Sequence, residues 1–359
     1  MNFEGYIGKP DKQRLINAMR LQEVDRVPYY ESLIEDKHVE KMLGRYAGNT
    51  LSFGGEMAKG QTENLRPMLA SDYVEICNII GQDVITAIDL WTPFKKESKD
   101  GKFIPAFDKS VRNLTDFKKL RMPDYENIDK NCRYIREYKE AVKGTRIGVA
   151  AGGCALMQTL YEFVVGFSDF MIASSEDLNF IEEMLEISSD YWYRYSKAII
   201  AEGIDIFVVG DDIAFKNGLF IQPEIIKKIW LPRIAKIISP AVEAGIPVQF
   251  HSDGKVDDIV QELINIGVNC LNPMDPYCVD YRQYKKKYGN RIALSGNIDI
   301  QFPLATGTPE DVEKDVKEHM EILKPGYGYV CCSSHSIVNY IPYDNFVALV
   351  NSIHKYGKY

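Results

Sequence analysis

The residues best suited to chemistry stand where apolar runs stop. Val248-Gln249-Phe250 gives way to His251-Ser252-Asp253-Gly254: an imidazole, a carboxylate two residues on, and a glycine that lets the backbone turn away. Alternate residues of a strand point to the same side, so His251 and Asp253 converge on one spot. A later run from Tyr327 to Ser334 ends in His335. Two imidazoles and a carboxylate suffice to hold a catalytic Zn2+ with one position left open. The competing reading is that His251 donates to a neighbouring strand-end carboxylate and binds no metal, because histidine serves many roles near neutral pH.

Other runs end in acids. Ile204 to Gly210 leads into Asp211-Asp212, and adjacent strand residues face opposite ways, so one carboxylate looks into a pocket while the other ties the following turn. Parity groups Asp211 with Phe207 and Val209. A carboxylate among apolar neighbours titrates near neutrality and can act as acid or base, so Asp211 is a catalytic candidate, against the alternative of a helix cap. Glu31 closes the run 26–32 and is a second catalytic candidate. Asp89 and Trp91 close the run 83–91 at matching parity, where the indole offers an apolar wall and a donor, although lone tryptophans more often pack at a rim. Tyr30 and Asn297 complete the candidate substrate contacts. Cys331-Cys332 alternates faces, which turns one sulfur inward, an ordinary use of cysteine as core filler.

Such ends need a scaffold. Strand-like runs fall at 26–32, 83–91, 146–153, 204–212, 248–254, 270–275, 291–299 and 327–335, with helical periodicity between and after them. Eight strand–helix pairs predict an α/β fold, a (β/α)8 TIM barrel, over an open doubly wound sheet, which would carry a glycine-rich phosphate fingerprint after its first strand. None is present. In such barrels active sites are built at the C-terminal strand ends, where Glu31, Asp89, Asp211, His251, Asp275, Asn297 and His335 all fall. An amphipathic helix with Leu15, Met19 and Leu21 predicts an N-terminal lid, and residues 34–82 and 92–122 are excursions after strands one and two, the second polar and hairpin-like. The whole chain, 1–359, reads as one domain.

Composition narrows the partners. A formal charge of −8 argues against nucleic acid and anionic membrane surfaces, which want clustered lysine and arginine. No run of apolar residues is long enough to span a bilayer and Met1 to Arg14 lacks signal-peptide character, so the expectation is a cytoplasmic protein. Seven cysteines without framework spacing read as reduced thiols.

Five motifs in order, Gly210-Asp211-Asp212, Phe250-His251-Ser252-Asp253-Gly254, Leu271-Asn272-Pro273, Ser295-Gly296-Asn297-Ile298-Asp299 and Ser333-Ser334-His335-Ser336-Ile337, resemble the uroporphyrinogen decarboxylase superfamily. The resemblance runs from Asp25-Arg26-Val27-Pro28 onward. It implies a (β/α)8 barrel and one of two chemistries: cofactor-free porphyrinogen decarboxylation, or zinc-dependent methyl transfer to or from a corrinoid protein. The decarboxylases carry an arginine-rich stretch after the first strand, whereas Tyr29 to Asp36 here is acidic, which disfavours a polyanionic porphyrinogen. Methyltransferases that load a small thiol use His-x-Cys near the fifth strand and a Cys after the eighth. Asp253 and His335 stand in those cysteine positions here.

Replacing thiolates with Asp and His leaves zinc a stronger Lewis acid. The resemblance then implies removal of a methyl group from oxygen or nitrogen, with Asp211 or Glu31 protonating the leaving group and Co(I) of a docked corrinoid protein receiving the methyl. The expected function is a corrinoid-dependent methyltransferase that demethylates a small methylated substrate, methoxylated aromatics included, with a homodimer allowed. The alternatives are a metal-free decarboxylase or lyase for a less charged substrate, and a non-catalytic corrinoid-binding partner.

Overall fold

The computed structural model describes residues 2–4, 9–48, 50, 68–89, 92–123, 125, 128, 132–153 and 155–359. Among them, seven parallel strands form one sheet: β1 Val84–Asp89, β2 Gly148–Gly153, β3 Ile206–Gly210, β4 Val248–His251, β5 Cys270–Asn272, β6 Ala293–Ile298 and β7 Tyr329–Ser333. Each strand bonds to its neighbours in sequence, the order that helical crossovers impose on parallel strands. Burial on both faces explains why the strands read as continuous apolar runs.

The alternation sorts side chains into two cores. Ile206 and Val208 of β3 join Val84, Ala150, Cys270, Ala293 and Val330 on the concave face. Helix α1 (Lys12–Met19) adds Leu15, Ala18 and Met19 to this cluster, so it packs against the N-terminal ends of the strands, away from the rim where chemistry is expected. Phe207, Val209, Val248 and Phe250 belong to the larger core shared with the helices. Those helices include α2 Leu156–Thr159, α3 Leu178–Ala201, α4 Leu231–Glu243, α5 Pro309–Leu323 and α6 Tyr343–Tyr356. Helix α5 begins in a reciprocal cap between Thr308 and Asp311, with proline in its first turn.

The expected first strand, 26–32, is corrected. Tyr29 makes a single parallel bridge to Cys331, with Cys331 N–H donating to Pro28 O at 3.0 Å. Pro28 has no N–H with which to extend the pairing. On the opposite side a side chain stands in for a ladder. Glu31 N–H donates to Gln82 Oε1 at 3.0 Å, and Gln82 Nε2 donates to Glu31 O at 3.1 Å and to Val84 O at 2.9 Å.

Within the 92–122 region Lys95–Glu97 pairs antiparallel with Phe103–Pro105. A second small hairpin, Ala214–Phe215 with Gly218–Leu219, follows β3. No helix among the described residues is long and apolar enough to cross a membrane. Several strands end sooner than the sequence pattern predicts. Asp211 and Asp212 follow the last residue of β3, and His335 lies two residues beyond β7.

Candidate functional site

Strands β3 and β4 pair with Gly210 opposite His251, which brings the ends of both strands to one place. Asp212 continues the concave-face alternation of Ile206 and Val208, and His251 and Asp253 continue that of β4. His251 Nε2 lies 4.0 Å from Asp212 Oδ1 and 3.9 Å from Asp253 Oδ1. All three groups offer donor atoms within 4.8 Å of one another. Gly254 is needed for the turn that follows: its φ is +86°, and a Cβ there would lie 2.4 Å from Ala214 O.

Neighbouring amides hold the cluster. Asp253 N–H donates to Asp212 Oδ1 at 2.8 Å. Gln158 of α2 donates from Nε2 to Asp212 Oδ2 at 3.1 Å and accepts from Asp212 N–H at 3.4 Å. His251 Nδ1 is 2.6 Å from Asn272 Oδ1. Asn272 Nδ2 is already committed to Ser295 Oγ at 3.0 Å, so the hydrogen-bond network assigns the proton to His251 Nδ1 and a lone pair to Nε2.

That lone pair faces two carboxylates, and neither Asp212 nor Asp253 pairs with lysine or arginine among the described residues. Burial raises the pKa of Asp253, and the charge of Asp212 adds to the rise against the opposing pull of His251 and His335. An arrangement of three electron-rich atoms calls for a cation or a proton between them. The 3.9 and 4.0 Å separations are within the sum of two zinc–ligand bonds, roughly 4.0–4.3 Å. One imidazole nitrogen and two carboxylate oxygens are also donors that zinc accepts, so the residues fit the ion that the sequence resemblance implies.

The remaining predicted residues take other places. His335 is exposed and outside the three-residue cluster, although its charge acts on Asp253. Asp211 is corrected from a pocket-facing acid. Its grouping with Phe207 and Val209 holds, but those residues face the helices. At 0% exposure its carboxylate accepts from Met157 N–H at 2.8 Å, Gln158 N–H at 2.7 Å and Trp230 Nε1–H at 2.7 Å. Burial pushes its pKa up to about 7 against those three donors.

Glu31, 3% exposed, accepts from Ser333 N–H at 2.6 Å and Ser333 Oγ at 2.9 Å, and burial pushes its pKa up to about 8. Its oxygens join the first segment to β7 instead of reaching the mouth. Tyr30 belongs to the concave core, where its hydroxyl accepts from Thr86 Oγ1 at 3.1 Å. Asn297 is 1% exposed and spends its amide on Met274 O at 2.7 Å and His319 Nε2 at 3.0 Å, so it fixes a loop to α5. Asp89 ends β1, while its side chain and Trp91 lie outside the described residues.

Several residues had no role assigned from sequence. Asn272 sits in a motif quoted above, but only pairing across β4 and β5 shows that it reaches His251. Gln158 lies on a helix far from Asp212 in sequence and carries no local signal. Gln249 is buried one alternation below His251 on the concave face, and its Oε1 has no partner among the described residues.

The parallel α/β sheet with an imidazole–carboxylate cluster at its C-terminal rim defines the architectural class. The chain belongs to the uroporphyrinogen decarboxylase (URO-D) family, whose model matches residues 93–356. It is 25% identical over 209 residues to the methylcobamide:CoM methyltransferase MtaA of Methanosarcina barkeri, a match covering 57% of this chain and 58% of that one. The chain therefore spans little more than half the length of that relative. The methylcobamide:CoM methyltransferase MtbA of Methanosarcina mazei is 26% identical over 358 residues, covering 96% of this chain and 98% of the relative. A uroporphyrinogen decarboxylase of Methylobacillus flagellatus is 23% identical over 261 residues, covering 70% and 71%. Among solved structures, a methyltransferase from Methanosarcina mazei shares the fold with a TM-score of 0.69 at 17% identity, over 97% of this chain and 99% of that one.

Proposed function

We propose that this chain is a methyltransferase that takes a methyl group from a small methylated substrate, methoxylated aromatics included, and passes it to a corrinoid protein. In this reading the 1–359 chain is one (β/α)8 barrel domain. Residues 26–31 complete the ring and α1 closes its floor. The observation that carries the reading is the meeting of Asp212, His251 and Asp253, with the His251 lone pair turned to two carboxylates. The similarity to methylcobamide:CoM methyltransferases over nearly the full chain supports it.

Asp212, His251 and Asp253 would hold zinc, and His335 beyond β7 is the further donor. Zinc when bound supplies Lewis acidity, which stabilises charge on a departing alkoxide, phenolate or amine. Gln158 orients Asp212, and the Asp253 backbone N–H holds the same carboxylate from its other oxygen. Asp211 and Glu31 fix strand ends in this reading and leave proton transfer to groups with access to the mouth.

The purified chain should contain stoichiometric zinc. With a reduced corrinoid protein and a panel of methylated phenols, amines and alcohols, methyl–cobalt absorbance should rise. His251→Ala should lose the zinc and roughly 100-fold or more of the rate. Turnover without corrinoid protein and indifferent to chelators would replace this reading with a metal-free decarboxylase or lyase.

A further inference from the structure

Asn272 is the hub of a hydrogen-bonded row that crosses four adjacent strands. It stands opposite His251 in the β4–β5 register. From His251 Nδ1 the row passes to Asn272 Oδ1 at 2.6 Å, and from Asn272 Nδ2 to Ser295 Oγ on β6 at 3.0 Å. Cys332 Sγ on β7 closes it, 3.4 Å from Ser295 Oγ and 3.6 Å from Asn272 Nδ2. Ser295 and Cys332 are both buried, so water does not compete for these contacts.

The row has one direction. An amide nitrogen donates and cannot accept, and here Nδ2 faces Ser295 and Cys332, which accept from it, while Oδ1 faces the imidazole. Burial and the charge of Glu31 hold the Cys332 thiol in its neutral form, which suits an end point that receives donors without adding charge. Exchanging the two ends of the amide would set Nδ2 against a histidine nitrogen and turn Oδ1 to the Ser295 hydroxyl and the Cys332 thiol, which would select the opposite, Nε2–H tautomer. The orientation of Asn272 is therefore set two strands away from the residue it serves.

We propose that Asn272 is a positioning residue that locks His251 in its Nδ1–H tautomer, and that Ser295 and Cys332 fix the orientation of the Asn272 amide. The inference rests on the proposed function only for its metal readout. A histidine that presents Nε2 to a ligand needs the other nitrogen held by an acceptor, and removal of such a partner typically costs about 10- to 100-fold in metal affinity.

Two measurements on the full chain test it. Nitrogen-15 spectra of the metal-free protein, with His251 assigned by difference from His251→Ala, report which ring nitrogen carries the proton. Competition with a chromophoric chelator reports zinc affinity. The parent protein should show protonated Nδ1 and bare Nε2. Asn272→Leu should give mixed tautomers and zinc binding weakened about 10- to 100-fold. Asn272→Asp, which keeps an acceptor, should restore both readouts to near parental values.

Ser295→Ala leaves the first contact intact and should loosen the tautomer preference, which keeps the test alive if the leucine variant fails to fold. An Nε2–H tautomer in the parent overturns the proposal. So does an Asn272→Leu protein, or failing that a Ser295→Ala protein, with unchanged spectrum and affinity. A parent that binds no zinc yet shows the Nδ1–H pattern supports the positioning role and removes the metal from the proposed function instead.

Discussion

At the floor of the sheet Asp83, 0% exposed, is paired with Arg14 and accepts from the Asp11 N–H at 2.8 Å, both at its Oδ1, and the charge of Arg26 acts on it from nearby. Arg14 is shared with Asp25 at 2.6 Å. At the mouth Asp212 and Asp253 are half-buried, and among the described residues neither pairs with lysine or arginine; the ion-pair partner they share is an imidazole. Both ends therefore concentrate carboxylates, but the floor neutralises them within the chain and the mouth does not. Balanced charges hold α1 and the strand starts together. Burial and the neighbouring Asp212 charge raise the proton affinity of Asp253, and carboxylates left side by side weaken the fold until a cation arrives. Imbalance of this kind marks a site better than the presence of acids does.

Substitution should separate the two ends. The largest loss is expected at the floor, where Asp83→Ala strands a buried guanidinium and should lower stability by about 3 kcal/mol or more in urea unfolding while leaving zinc content intact. Asp211→Asn comes next. It sets an amide nitrogen against donors and should cost about 1–3 kcal/mol, again with zinc retained. An Asp211 variant that folds normally but loses zinc would erase the distinction between the adjacent aspartates.

Glu31 gives a pH-dependent effect. Its pKa is about 8 in the fold against 4.5 for the free side chain, so between those values the folded chain keeps a proton that the unfolded chain releases. Its contribution is complete below pH 4.5 and declines as pH rises to 8, by up to about 1.4 kcal/mol per pH unit. Glu31→Gln should flatten that slope when unfolding is followed across the range. The smallest stability change belongs to Asp212→Asn, about 0.5 kcal/mol or less, because it trades a hydrogen bond for relief of repulsion. The same variant should lose zinc in elemental analysis, and a large stability loss with zinc retained would dissolve the contrast between floor and mouth.

Much of this was legible in the order of residues. The runs 83–91, 248–254 and 327–335 marked three true strands, although these pair only as far as Asp89, His251 and Ser333, and the two-residue step from His251 to Asp253 did place both on one face. Parity also tied Asp211 to Phe207 and Val209, but a strand buried on both sides gives no sign of which side is concave. Asp212 was therefore passed over although it carries the third cluster position. Asn272 and Gln158 were silent for another reason: their partners arrive through strand register and helix docking, neither of which leaves a trace in local pattern. The segment 26–32 has strand composition, yet with Pro28 in it the pairing is limited to isolated bridges, Arg26 with Lys358 and Tyr29 with Cys331.

That segment gives the wall a seam. Six strand junctions are laced by backbone ladders, whereas the joint between residues 31 and 82 is stitched by one amide side chain. Breathing of a curved wall starts at its thinnest joint. Strand β4, with His251 on it, is three strand junctions away from β1, which flanks that joint. The wall can part and reseal at that joint while the imidazole three junctions away keeps its aim.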